Sequence, residues 1–415
     1  MRILWLINVM PPYAAQALGL NPGFGGSWIA SLLAAITKLD TDISLFVAAP
    51  AAVEEIQSTE VDGVTFFAFP PTMQGAEWQN IVELSNPAVV HLHGTEYKHG
   101  FHLMQAYPDL PYVTSLQGVI TFYAPHFTAF LPPAVARKRS LRDLIKNDSI
   151  RKNQQEFYEQ GTIEEYILRH SSGVIGRTAW DRACAHWLAP AVPYFHCNEC
   201  LRPVFYNQNW SFENCEPFSI FVPQANYPIK GFHLLLDALP YLVRDYPNLR
   251  VYVAGNANLF PAEKSARLKQ RYYQHYLEDK IEANGLKDHI TFTGILNEQE
   301  MCERLVKSHV FVMPSVIENS PNALGEAMLT GVPTVAANVG GVSTMMSDGE
   351  EGLLYPADEP YMLAYYVHCV FADTATAALR AERAAKKARS VHDYATNAAR
   401  TIEIYQRIAG LQIDN

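Results

Sequence analysis

Cysteine is scarce in this chain: six residues spread over 415. That is too sparse for a disulfide framework and suits a reducing, cytoplasmic setting. The nearest approach to a metal motif, His196-Cys197-Asn198-Glu199-Cys200, lacks the second ligand pair that zinc requires, with only Cys215 nearby. Asp40-Thr41-Asp42 precedes an apolar run instead of following one, so it reads as a helix-to-strand turn and not as a metal-holding pair. Metal: none and cofactor: none are the expectations. Long hydrophobic runs are missing too, since no uncharged apolar stretch reaches the ~18 residues that read as a membrane span. The segment Met1–Asn8 turns polar too soon for a secretion signal and reads as a first strand. Positive charge is in deficit, 32 Lys and Arg against 42 Asp and Glu for a net −10, which argues against a nucleic-acid partner. Finally, the dinucleotide fingerprint is absent. Gly23-Phe24-Gly25-Gly26 follows the first strand after too long a loop, and Trp28 stands where a third glycine is needed. A Rossmann oxidoreductase is therefore the poorest fit.

The remaining composition is that of a folded protein, 49% apolar and 18% charged, with length for two or three domains. Apolar strand-like runs at 2–8, 43–48, 88–92, 111–116, 173–176, 219–222, 249–254, 290–294 and 309–313 alternate with helical patterns. Such alternation implies parallel, doubly wound sheets. The polar stretch from Tyr206 to Pro217 reads as a linker. The expected division is a first Rossmann-like domain at 1–205, a second at 206–395 and a terminal helix at 396–415.

The most informative stretch is Phe311–Pro333. A buried strand ends at Met313, a loop carries Glu318, and a helix follows with Ser320 expected as its N-cap and Pro321 as its first residue. Gly331 and Pro333 stop it. The N–H groups of Asn322, Ala323 and Leu324, with the helix dipole, invite a phosphate. Glu326 lies about 9 Å along the axis, placed to bind a diol such as ribose, and Glu318 is placed to bind a second polyol. A carboxylate on each side of an anion site suits a nucleotide diphosphate sugar.

Glu318, seven intervening residues and Glu326, followed by Ala327-Met328 and Gly331-Val332-Pro333, resemble the E-x7-E signature of the retaining family-4 glycosyltransferases, the glycosyl transferases group 1. Ala336 to Val342 and Gly352-Leu353-Leu354 are similar to that family's next strand, glycine loop and following strand. The resemblance is strong over about residues 218–357 and looser over the first 205. It implies the GT-B architecture, α/β with two doubly wound Rossmann-like domains facing a central crevice. It also implies transfer of a sugar from a nucleotide diphosphate donor to a glycan or lipid-linked acceptor, as in surface polysaccharide or glycoconjugate assembly. The anomeric configuration would be retained by front-face displacement without a metal, the leaving phosphate taking the acceptor's proton. Glu318, Lys230 and Gln117 would serve catalysis. Glu326, Gln224, Ser320, Pro321, Asn322, Ala323, Leu324, Gly294, Ile295 and the Gly25-Gly26 loop would line the donor. Gln117 occupies a position where many relatives carry histidine; it can hydrogen-bond but cannot carry a proton. Near Gln224 the family usually supplies an arginine, so one of two expected cations is missing.

In a doubly wound sheet the carboxyl ends of strands line the ligand crevice. That makes His93, Thr95, Glu96 and Gly118 the candidate acceptor contacts, with His91 expected inside the core. Residues 137–152 hold Arg137, Lys138, Arg139, Arg142, Lys146, Arg151 and Lys152 among Leu141, Leu144 and Ile145. This stretch reads either as a solvated helix face or as a peripheral contact with the inner face of a membrane. Two other function classes stay open: a catalytically weak nucleotide-sugar-binding protein, and another GT-B enzyme such as an epimerase or phosphorylase.

Overall fold

The computed structural model describes residues 1–21, 27–39, 42–255, 259–261 and 263–410. Gly25, Gly26, Asp40 and Thr41 lie outside them. The chain forms two compact units. The first comprises Met1–Thr121, Glu159–Leu201 and the chain from His392; the second comprises Phe122–Tyr158 and Arg202–Val391.

The first unit is built on β1 (Arg2–Leu6), β2 (Ser44–Pro50), β3 (Gln57–Val61), β4 (Val64–Phe69), β5 (Val89–His93), β6 (Tyr112–Ser115), β7 (Gly173–Gly176) and β8 (Tyr194–His196). They lie in the order β3-β4-β2-β1-β5-β6-β7-β8. Every pairing is parallel except β3 with β4. Strands β1 and β5 are buried on both faces, as sheets covered by helices on each side require. Ile3, Trp5 and Val47 pack into one apolar cluster, and Leu4, Leu6, Val90 and Leu92 into another on the opposite face. The terminal helix Tyr394–Ile408 brings Ile402, Ile404 and Tyr405 into the first cluster, beside Ile29 and Leu33 of helix Ser27–Thr37. Tyr405 Oη lies 2.6 Å from Nδ1 of the buried His91, whose Nε2 meets Ser115 Oγ at 2.6 Å.

The β3–β4 hairpin escapes the sequence reading, although its signal is there. Asp62-Gly63 stands between two strand-like runs, and both residues take positive φ, 51° and 77°. These are the torsions of the two-residue turn that suits a twisted hairpin.

The second unit carries β9 (Glu216–Val222), β10 (Arg250–Ala254), β11 (Ile290–Gly294), β12 (Ser308–Met313), β13 (Thr334–Ala337) and β14 (Leu353–Tyr355), in the order β11-β10-β9-β12-β13-β14. All of its pairings are parallel. Residues 122–158, grouped with the first half in the expected division, cluster here by contact instead. The reason is a set of long-range polar bonds that no local pattern announces. Ser140 Oγ donates to Gln270 O at 2.8 Å, Tyr272 N to Asp143 Oδ2 at 2.9 Å, and Arg271 Nη2 to Asp148 Oδ2 at 2.9 Å.

In each unit the strand order turns back beside the first strand laid down: β1 has β2 on one side and β5 on the other, and β9 has β10 and β12. Such switch points leave a crevice at the carboxyl ends, where open α/β sheets bind ligands. The relevant loops follow β5 in the first unit, and β9 and β12 in the second.

Candidate functional site

The loops after β9 and β12 are zipped together. After β9 the chain makes a turn, Pro228–Lys230, and enters helix Phe232–Asp245 through Gly231. After β12, residues 315–319 are buried, and Val316 N donates to Ile229 O at 2.9 Å. Gly231 has φ 67°, and a Cβ there would lie 1.7 Å from Pro314 O. Only glycine allows both the torsion and the approach. Gly340 repeats the device on the other side: φ is 50°, a Cβ would lie 2.0 Å from Glu318 O, and Gly341 N donates to that carbonyl at 3.0 Å.

This packing brings Lys230 Nζ to 2.6 Å from Glu318 Oε1, although 88 residues separate them in sequence. Glu318 is 7% exposed. Burial acts to lower the Lys230 pKa, but the Glu318 carboxylate outweighs it and holds the ammonium above its ordinary value. The site thus carries a permanent cation, with three N–H donors of which Glu318 uses one.

The helix beyond Glu318 runs Asn322–Thr330 and ends at Gly331, φ 71°. Its start corrects the expected capping: the N-cap is Pro321, and no side chain, Ser320 included, caps it. The amide of Leu324 is not available to a phosphate, because it donates to Pro321 O at 3.0 Å. The N-terminal donors are those of Asn322 and Ala323, where a helix start leaves N–H groups unpaired.

Glu326 is 3% exposed and held by a partner the sequence reading misses. Arg202 Nε meets Oε1 at 2.6 Å and Nη2 meets Oε2 at 2.7 Å, a bidentate fork. Burial raises the Glu326 pKa, while Arg202 opposes the rise. Arg202 also lies over the Phe205 ring at 4.7 Å. Nothing local marks it, since it precedes Pro203 in an irregular segment. Of the other donor-side candidates, Gln224 is half-buried in the loop after β9. Gly294 closes β11 with its carbonyl bound by Gly255 N at 2.8 Å, and Ile295 is 53% exposed.

In the first unit the acceptor-side candidates separate. Thr95 is fully buried and donates to Glu164 Oε1 at 2.6 Å, so it is an interior bond donor and not an acceptor contact. Glu164 also accepts from Ile120 N, Thr121 N and Thr121 Oγ1, so hydrogen bonds satisfy this buried side chain. His93 is likewise buried at 2% exposure, its ring centroid 3.7 Å from that of His91 at a tilt of 33°, and burial holds its pKa well below the ordinary value. Gln117 does not present a free amide: its Nε2 donates to Glu199 Oε1 at 2.9 Å, and the same oxygen is bound by Arg177 in a buried ion pair. Both Arg177 and Glu199 were outside the expected site.

Glu96 and Gly118 do meet. Gly118 N donates to Glu96 Oε1 at 2.9 Å, while Oε2 is buried and has no hydrogen-bond partner among the described residues. Burial pushes the Glu96 pKa up from 4.5 to about 7, the Gly118 bond acting against it. The folded chain therefore keeps a proton that the unfolded chain has released. The associated stability is full below about pH 4.5 and is lost as pH rises to about 7. At about 1.4 kcal/mol per unit, Glu96→Gln should gain up to about 3 kcal/mol over the parent across this window. Urea titrations of both proteins at several pH values check it; a constant difference between them would contradict the buried-acid description.

Among the described residues no group of three or more His, Cys, Asp or Glu is placed to hold a metal ion, and no helix is long and apolar enough to cross a membrane.

Comparison with known proteins gives a family match, "Glycosyl transferases group 1", over residues 206–390. A glycogen synthase of Mycobacterium tuberculosis is 27% identical over 186 residues, 45% of this chain and 41% of that protein. The chain thus spans under half the length of the curated relatives it matches. Among solved structures, the sucrose-phosphate synthase of Thermosynechococcus elongatus superposes with a TM-score of 0.71 at 15% identity, covering 99% of this chain and 100% of that one. Anabaena HepE, solved in complex with UDP-glucose, gives 0.68 at 18% identity, covering 98% and 100%. Two parallel-sheet Rossmann-like units with these neighbours constitute the GT-B fold.

Proposed function

We propose, from the match of residues 206–390 to the glycosyl transferases group 1 family, that this chain transfers a sugar from a nucleotide diphosphate donor to a hydroxyl of a glycan or lipid-linked acceptor. The observation that carries the proposal is the Lys230–Glu318 pair, set at the switch point of the second sheet beside a helix start. Lys230 engages the diphosphate with the donors that Glu318 leaves, and the N–H groups of Asn322 and Ala323 add to it. Glu318 hydrogen-bonds the donor hexose. Glu326 accepts from the ribose diol with lone pairs that Arg202 does not take, an ionised carboxylate having about four such sites.

The transfer retains configuration, uses no metal, and lets the leaving phosphate take the acceptor's proton. Charge building on that phosphate is what Lys230 stabilises, and a fixed cation in a water-poor site is effective there. Glu96 and Gly118 line the acceptor side.

The test is calorimetric titration of nucleoside diphosphates and their sugars, beginning with UDP and UDP-glucose because HepE binds the latter. One base should bind selectively to the parent and lose at least tenfold in Lys230→Ala. Absence of any nucleotide binding to a folded parent refutes the donor site. One observation favours a second reading, a nucleotide-sugar-binding protein without transfer: Gln117 is engaged by Glu199 and offers no proton-carrying imidazole. Saturable donor binding without product over a broad acceptor panel would select it.

A further inference from the structure

The short helix Leu141–Lys146 is fastened on one side only. Its cap, Ser140, accepts from Asp143 N at 3.1 Å and donates to Gln270 O at 2.8 Å. Asp143 is buried and accepts from Tyr272 N at 2.9 Å. Just past the helix, Asp148 takes Arg142 at 2.5 Å and Arg271 at 2.9 Å. These bonds fix the helix within the second unit.

The other side is apolar and open. Leu141, Leu144 and Ile145 are 57%, 58% and 71% exposed. Their spacing puts them on one face, one above the other. A solvated helix would carry polar residues there, and three aliphatic side chains grouped in the open mark an interaction site. Arg137, Lys138, Arg139 and Lys146 flank them in the chain and are exposed. Among the described residues none of the four has a carboxylate partner, whereas Arg142 and Lys152 do. In the turn leading into this segment Phe130, with φ 59°, is 55% exposed.

We propose that this face docks on an anionic lipid bilayer, the aliphatic side chains entering the boundary between headgroups and acyl chains and the four cations meeting lipid phosphates. The chain's net charge of −10 makes the attraction local to this patch. A second copy of the chain is a poor occupant, because a two-fold contact sets the patch against itself and opposes cations to cations. A free phosphate ligand gives no use for three exposed aliphatic side chains. The inference does not depend on the donor reading.

Flotation with vesicles of phosphatidylcholine, alone or with roughly one part in three phosphatidylglycerol, tests it. The parent should float with the anionic vesicles only, and raising the salt should release it. Leu144→Glu/Ile145→Glu should lose at least tenfold in partitioning. Arg137→Glu/Arg139→Glu/Lys146→Glu should lose about a hundredfold, since each cation near the surface contributes about fivefold. Both variants alter exposed side chains, so unchanged melting curves establish that they fold. The proposal is overturned if the parent does not float, if variants and parent float equally, or if sedimentation shows the aliphatic variant splitting a dimer while flotation persists.

Discussion

Arg202→Met should lower the stability of the second unit by about 3–5 kcal/mol, because it leaves the Glu326 carboxylate buried and uncompensated. The fork has two bonds of 2.6 and 2.7 Å to a residue 3% exposed. Glu326→Gln/Arg202→Met removes both charges and should recover a large part of the loss, since an apolar or neutral replacement of a whole buried pair is often near neutral. Denaturant unfolding of the parent, both single variants and the double variant closes the cycle. A single Arg202→Met loss under about 1 kcal/mol would mean that the fork is no stronger than an exposed pair. The same variants bear on function: under the proposed reading Arg202 fixes the orientation of Glu326, so its loss should also weaken binding of a nucleoside diphosphate.

Under the proposed function, Lys230→Ala should reduce kcat by about a hundred- to a thousandfold with the donor identified by calorimetry, the scale found when one preorganised group that stabilises developing charge is removed. Binding of the donor weakens as well, but the larger loss belongs to the step in which the diphosphate leaves. The substitution also strands Glu318, which is 7% exposed, so part of any effect is structural. Lys230→Ala/Glu318→Gln separates the two contributions: it should regain stability and remain slow. Transfer at the parental rate by a folded Lys230→Ala protein would end the leaving-group role. Because Glu318 raises the Lys230 pKa further, the ammonium stays charged through the neutral range, and no loss of rate near neutral pH arises from its deprotonation.

Much of the architecture was legible because it is local. Strands β1, β5, β9 and β12 are short apolar runs bounded by turn residues, and their alternation with helical patterns leaves little besides parallel sheets. The helix Asn322–Thr330 and its stop at Gly331 were readable for the same reason. The cap was misplaced by one residue, because Ser and Pro are both favoured at helix starts and only backbone torsions distinguish which of them enters the helix. Thr95 and His93 were expected at the crevice on the strength of following or ending β5. Their depth depends on what covers them, Glu164 from helix Ile150–Arg169 in one case and the packed rings of Trp5 and His91 in the other.

The sequence by itself determined the period of each element, the order in which strands and helices alternate, and the E-x7-E spacing that puts two carboxylates around one helix start. Tertiary structure alone decided which side chain answers which. Lys230 and Glu318 are 88 residues apart, Arg202 and Glu326 are 124 apart, and Gln117 and Glu199 are 82 apart. Periodicity arises from repeated backbone geometry and is written along the chain. An ion pair between distant segments requires only that two folded surfaces meet, and the residues around either partner carry no trace of it.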